Sequence, residues 1–296
     1  MNNDQAVALC KPLDEVTERT IRCVSEAATA LDITVLLCGA TARVLVLEHI
    51  YGCEPGRQTN DVDFVFAVND WSQHHELARR LTATGLWESQ RGKPLHRLST
   101  TSSGRNVYPL DLIPYGVIEN EHGDISWPPK QEFVMSMLGF AEANRHAMRV
   151  AVAKNLVINV VDIVSIAMLK LIAWHDKKLD HDPDGQRKHA QDFASILKGY
   201  GDLPANQDRV YTEAPSVFER ADGDVLLVGA WLLGREVGGR AGDLTQRRLQ
   251  AVFAERDKLL LNMQATVFFT SPEHSEEFLS YFEDGLGSSR TSRLAS

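Results

Sequence analysis

Two aspartates spaced two apart, Asp61 and Asp63, stand at the entrance of an apolar run that continues to Val68. Side chains along a strand alternate between faces, so the pair projects from one face, roughly 7 Å apart along the chain. Hard divalent cations take carboxylate oxygens, and Mg²⁺ usually accepts one or two from protein while phosphates and waters complete its shell. A third acid, Asp111, is the lone charge in the segment Tyr108–Ile113. On a buried strand an acid is costly unless it is paired or metal-bound, and a structural hydrogen bond would serve it equally well. Upstream, Gly39-Ala40-Thr41 follows a short apolar run. A residue without a side chain there lets the backbone approach a ligand, and the N–H groups of a starting helix can bind phosphate. Cations come later: Lys170 and Lys177 lie seven apart on one helical face with Asp176 beside them, and Lys188 and Asp192 stand at i and i+4. The last pair is also what an ordinary helix-surface ion pair looks like. Lys170 is different, because in AMLKLIAW its charge has to snorkel out of an apolar stripe.

The elements that must hold these residues are partly legible. Thr34–Cys38 reads as a buried strand, Ala40–Tyr51 as a helix with Val44, Leu47 and Tyr51 on one face, and Asp61–Val68 as a second strand. A helix over 12–32 would pack behind the first strand. Asp70-Trp71-Ser72 can cap a helix that runs to Thr84 and stops at Gly85. Leu95–Thr101 and Asn106–Ile113 predict two strands around Ser102-Ser103-Gly104. Asn155–Val161 predicts one more. From Asp162 the pattern turns helical: Ile163–Leu179, the turn-forming HDPDG, then a helix from Gln186 to Leu197, together an αα-hairpin. Ser271-Pro272 marks a further helix start. The Gly-rich run Gly229–Gly239 lacks a preceding strand and reads as close helix packing. The expected architecture is α+β, with a mixed-sheet core over 1–150, a helical domain over 151–283 and a disordered tail over 284–296.

Composition narrows the class. The chain has 296 residues, 44% hydrophobic and 24% charged, as in soluble globular proteins. No apolar run approaches the roughly 20 residues that span a bilayer. The opening MNNDQAVALCKPLDE lacks the basic start and apolar core of a secretory signal. Four cysteines without metal-ligand spacing fit reduced thiols and a cytoplasmic setting. A net charge of −9 argues against nucleic-acid binding by bulk charge. Between Glu76 and Arg105, however, six Lys or Arg face two acids, a local surface able to hold a polyanion or simply a solvated face.

Taken together, CGATARVL, then R-x-T-x-D-V-D-F, L-D-L-I-P-Y-G, and LKLIAWHDKK with R-K-x-x-x-D-F resemble the AbiE-type (AbiEii/AbiGii-like) nucleotidyltransferase toxins. These belong to the DNA polymerase β-like nucleotidyltransferase superfamily. The resemblance covers about residues 35–200. It implies a polymerase β-like core with a helical domain closing over the nucleotide, and transfer of a nucleotide from an NTP with release of pyrophosphate. It also implies Mg²⁺ (or Mn²⁺) as cofactor, a tRNA or other RNA 3′ end as acceptor, and a cognate antitoxin as partner. Carried over by position, Gly39, Ala40 and Thr41 hold the triphosphate, and Asp61, Asp63 and Asp111 bind metal. Lys170, Asp176, Lys177, Lys188 and Asp192 line the nucleotide from the hairpin. Asp61, Asp63, Asp111 and Lys170 form the catalytic set. Two positions depart from the pattern: Ala40 stands where a second glycine or serine is usual, and His189 where aspartate is common. Two rival readings are transfer to a small molecule such as an antibiotic, and an NTP-binding module whose chemistry has decayed.

Overall fold

The computed structural model describes residues 6–54, 62–89, 96–129, 131–264, 269 and 271–294. Asp61 lies outside the described residues. The chain divides into two compact units, Met1–Asp162 and Ile163–Ser296.

Among the described residues the first unit has ten strands: β1 (Val7–Ala8), β2 (Thr34–Cys38), β3 (Val62–Val68), β4 (Trp87–Glu88), β5 (Arg97–Thr100), β6 (Leu110–Gly116), β7 (Asp124–Ser126), β8 (Val134–Ser136), β9 (Met148–Ala153) and β10 (Leu156–Val160). Eight of them form one mixed sheet in the order β1-β9-β10-β2-β3-β6-β5-β4, and β7 pairs with β8 apart from it. At its centre β2 runs antiparallel to β3, and β3 runs parallel to β6. Leu36, Leu37, Phe64, Val65, Phe66, Leu110 and Leu112 are all buried. Burial on both faces is why these strands read as continuous apolar runs.

Helix α1 (Glu15–Thr29) starts at Asp14, whose side chain accepts from the Val16 and Thr17 N–H groups. Helix α2 (Gly39–Val44) follows β2 without a loop and widens into a π-helical turn, Leu45–Ile50. Helix α3 (Trp71–Ala83) is capped by Asp70, which accepts from Gln73 N–H. Gly85, with φ +73°, ends the turn after it. A short α4 (Phe140–Arg145) precedes the β9–β10 hairpin.

Two expectations change here. The strand placed over Asn106–Ile113 begins at Leu110. The preceding residues are occupied by turns: Thr101 O accepts from Gly104 N–H, and Gly104 O accepts from Val107 N–H. Gly104 also presses on Leu86, since a Cβ there would lie 3.1 Å from the Leu86 carbonyl carbon. The second change concerns the boundary at 150. Strand β9, unforeseen, pairs antiparallel with β10, and β10 adds parallel to β2. Sheet hydrogen bonds therefore carry the first unit on to Asp162.

The second unit is helical: α5 (Ile163–Leu179), α6 (Pro183–Gly199), α7 (Arg209–Thr212), α8 (Pro215–Arg220), α9 (Val225–Arg240), α10 (Asp243–Phe253), α11 (Arg256–Gln264) and α12 (Pro272–Leu294). The αα-hairpin expected from HDPDG is α5–α6. His181 takes a left-handed φ of 55°, and Asp182 caps α6 by accepting from Gly185 N–H at 2.8 Å. The glycine-rich stretch of α9 packs against α12. A Cβ at Gly234 would overlap the Phe282 carbonyl, and one at Gly285 of α12 would sit 2.9 Å from Arg235 N. For residues 284–294 this corrects the reading of 284–296 as a disordered tail, because they continue α12 and Leu286 is buried; residues 295–296 lie outside the described residues.

Candidate active site

The first unit brings four residues into one row. Cys38 of β2 pairs with Asp63 of β3, Asp63 with Asp111 of β6, and Asp111 with Arg97 of β5. Residues in register on adjacent strands share a face and stand about 4.8 Å apart. The carboxylates of Asp63 and Asp111 therefore lie side by side. Arg97 closes the row, with Nη1 3.5 Å from Asp111 Oδ2.

Gly39 sits against this row. Its φ is +66°, a region an L side chain rarely adopts. A Cβ there would overlap Asp63 Oδ2 and lie 2.6 Å from Asp63 Cγ. The glycine thus serves two needs: it turns the chain from β2 into α2, and it leaves room for a carboxylate to lie against the backbone. Ala40 and Thr41 are buried in the first turn of α2.

Asp63 and Asp111 offer hard oxygen donors on one face, a set that fits Mg²⁺ bound by two carboxylates and completed by substrate oxygens. Among the described residues no group of three or more His, Cys, Asp or Glu side chains forms a metal cage. Asp61, expected as a further ligand, is outside them.

The cations of the second unit are arranged by the α5–α6 hairpin. Lys170 Nζ lies 2.7 Å from Asp192 Oδ2, and the two side chains are 12% and 9% exposed. Asp192 is thereby matched with Lys170 across the helices, a more buried arrangement than the surface pairing with Lys188 that the i, i+4 spacing suggested. Lys177 reaches back over the turn, 3.4 Å from Asp180 and 3.6 Å from Asp182. The Gly185 N–H, together with Lys177, holds Asp182 below the usual carboxylate range. Asp176 pairs with Arg248 of α10. Lys188 is exposed on α6. Burial, reinforced by Lys170, pushes His189 down to about 3, so its imidazole is neutral at physiological pH. Where an aspartate would add a negative charge beside Lys170 and Asp192, this chain adds none.

Two charged residues of the first unit escaped the sequence reading, one buried in α2 and one at the end of the carboxylate row. Arg43 of α2 is 1% exposed and among the largest fully buried side chains. Its signal was present, a cation inside the apolar run GATARVLVL, the same signal that singled out Lys170. Arg97 was counted only as part of a basic stretch. Its partnership with Asp111 is a matter of strand register, which no local pattern encodes. The same stretch is less basic than its count, because Glu76 pairs with both Arg79 and Arg80 at 2.7 and 3.0 Å.

The sequence profile of the family described as nucleotidyl transferase AbiEii toxin, type IV toxin–antitoxin system, matches residues 22–281. The chain is a nucleotidyltransferase, with an α+β core built on a mixed sheet. It belongs to the AbiEii toxin family. Among solved structures, an antigenic nucleotidyltransferase-like protein from Paracoccidioides brasiliensis is similar over 73% of this chain and 93% of its own, at 15% identity and a TM-score of 0.41. No curated protein matches the sequence. Among the described residues no helix is long and apolar enough to cross a membrane.

Proposed function

We propose that this chain moves a nucleoside monophosphate from an NTP to the 3′ hydroxyl of an RNA, with tRNA the favoured acceptor, as the toxin held in check by a cognate antitoxin. In this reaction the acceptor oxygen bonds to the α-phosphorus, the bond from that phosphorus to the β-phosphate oxygen breaks, and pyrophosphate leaves. The observation that supports the reading is the adjacency of Asp63 and Asp111, with Asp63 lying on Gly39.

Asp63 and Asp111 would hold Mg²⁺ or Mn²⁺, with Asp61 as a further ligand. Bound there, the metal supplies Lewis-acid stabilisation of phosphoryl oxygens. Asp111 orients the acceptor hydroxyl and receives its proton at the carboxylate, and Arg97 holds that carboxylate in place. The backbone N–H groups of Ala40 and Thr41 present hydrogen-bond donors to phosphate. Lys170, oriented by Asp192, neutralises triphosphate charge, with Lys177 and Lys188 as further cations and Asp176 as an orienting acid.

Incubating the protein with each labelled NTP, Mg²⁺ and total RNA tests the reading. Labelled RNA is the expected product. Asp63→Ala should lower incorporation by at least about 100-fold, more than the loss typical of an outer-shell residue, while leaving the thermal melt nearly intact. Wild-type incorporation by that variant overturns the proposal, and label in a small molecule instead of RNA overturns the acceptor.

A further inference from the structure

The segment between β1 and α1 crosses the end of the π-helical turn Leu45–Ile50 as a strap. Its two ends are fixed. Val7 and Ala8 pair with Val150 and Ala151 of β9, and Asp14 caps α1. Between these anchors Lys11 pairs with Glu48, and His49 Nδ1–H donates to Lys11 O at 2.9 Å.

A helix end leaves its last carbonyls without partners of its own. Here two cysteines meet them. Cys53 N–H donates to Leu47 O at 2.8 Å, and Gly52, with φ +70°, turns the chain back to make that bond. The next carbonyl, Glu48 O, accepts from Cys10 Sγ at 3.7 Å. The one after it, His49 O, accepts from Cys10 N–H at 2.7 Å. Cys10 and Cys53 thus occupy consecutive carbonyls of a single turn. Cys10 Sγ also lies 4.0 Å from where a Cβ of Gly52 would stand, and Gly52 is the residue bonded to Cys53. Cys10 is exposed and Cys53 half-buried, so both thiols stand near the surface, whereas Cys38 is buried.

Capping by itself uses the backbone N–H groups of these two residues and does not require sulfur at either. Two of the four cysteines, far apart in sequence, nevertheless converge on one helix end. A disulfide needs Cα atoms about 4.4–6.8 Å apart. Side-chain rotation and a small shift of the strap bring residues on neighbouring carbonyls into that range.

We infer that Cys10 and Cys53 are a modification site, a dithiol that closes to a reversible intramolecular disulfide and staples the strap to the end of the π-helical turn. Glutathione disulfide is a sufficient oxidant. The Cys10 thiolate attacks one glutathione sulfur, the glutathione S–S bond breaks, and one glutathione thiolate leaves. The Cys53 thiolate then attacks the Cys10 sulfur, forming the protein disulfide and releasing the second glutathione thiolate. Two protein thiols are oxidised, one glutathione disulfide is reduced, and the two protons end on the two glutathione thiols. The closed loop contains β2, Gly39 and α2, so the bridge restrains the junction on which Asp63 lies.

The full chain, incubated with glutathione disulfide and then blocked with N-ethylmaleimide, is digested without reduction and mapped by mass spectrometry. The expected product is a peptide pair joining Cys10 to Cys53 that dithiothreitol separates. Oxidised monomer should melt about 5 °C or more above reduced protein. Cys10→Ser and Cys53→Ser should each abolish the bridge and the rise, leaving a glutathione adduct on the remaining thiol, whereas Cys23→Ser changes neither. No reaction of either thiol, an adduct on Cys10 without closure, a bridge to Cys23 or Cys38, or bridges only between molecules overturns the inference. A Cys10–Cys53 bridge that leaves the melting temperature unchanged overturns its role as a staple.

Discussion

The carboxylate of Asp63 lies directly over the Cα of Gly39, at the junction where β2 becomes α2. One position therefore answers to two constraints, a left-handed backbone and the absence of a Cβ. Gly39→Ala should destabilise the fold by about 1–3 kcal/mol and lower nucleotide transfer, because the new methyl displaces Asp63. Combining it with Asp63→Ala should restore part of the stability, since the overlap is gone while the backbone strain stays. Thermal melts of the two single variants and the double check this: purely additive losses would show that the two residues do not interact.

Arg97 reaches Asp111 across the β5–β6 pair at 3.5 Å, with the arginine side chain 34% exposed. Partial exposure limits the stabilisation to about 1 kcal/mol or less. Arg97→Ala should therefore cost transfer activity about tenfold through a misplaced Asp111, the lower end of what lost outer-shell support costs, with little change in melting temperature. Paired activity and melting measurements distinguish this from a purely structural role, in which both would fall together.

The Lys170–Asp192 pair is almost buried, so its partners depend on one another. Asp192→Ala should cost about 3–5 kcal/mol, because it leaves an ammonium group without its counter-charge in a low-dielectric site. The double replacement Lys170→Met with Asp192→Leu should be more stable than Asp192→Ala alone, though inactive in transfer. Urea unfolding of the three proteins decides the order.

Burial lowers His74 to about 4 from an ordinary 6.5. Between those values the unfolded chain binds a proton that the folded His74 refuses, so stability falls as pH drops through that window and is unaffected above it. His189, pushed down to about 3, acts in the same direction. His74→Gln should flatten the curve of unfolding free energy against pH between about 6.5 and 4, by up to about 1.4 kcal/mol per pH unit. Chemical denaturation at a series of pH values measures it, and an unchanged slope would mean that His74 protonates without cost to the fold.

The chemistry-bearing residues could be named from the sequence because each broke a local rule. Asp111 interrupts an apolar strand, Lys170 an apolar helix, and Gly39 a strand-to-helix junction. The α5–α6 hairpin was legible because HDPDG is a turn-forming cluster between two helical patterns, although α6 starts at Pro183 and not at Gln186, with Asp182 as its cap. Local pattern also sufficed for the glycine-rich α9, where small residues leave room for a second backbone.

What local pattern could not supply was partnership across the chain. The row Cys38–Asp63–Asp111–Arg97 exists because three strand pairs settle into one register. Register depends on which segments meet, and that is decided by packing over the whole sheet. The same holds for β9, whose place is made by β10, and for residues 284–289, whose polar composition suggested disorder although they pack closely on the glycines of α9. Sequence alone determined which residues carry charge into apolar surroundings, because the cost of burying a charge is local and visible in the neighbouring residues. Only tertiary structure decided which of those charges meet, because contacts between distant segments are set by the free energy of the assembled fold.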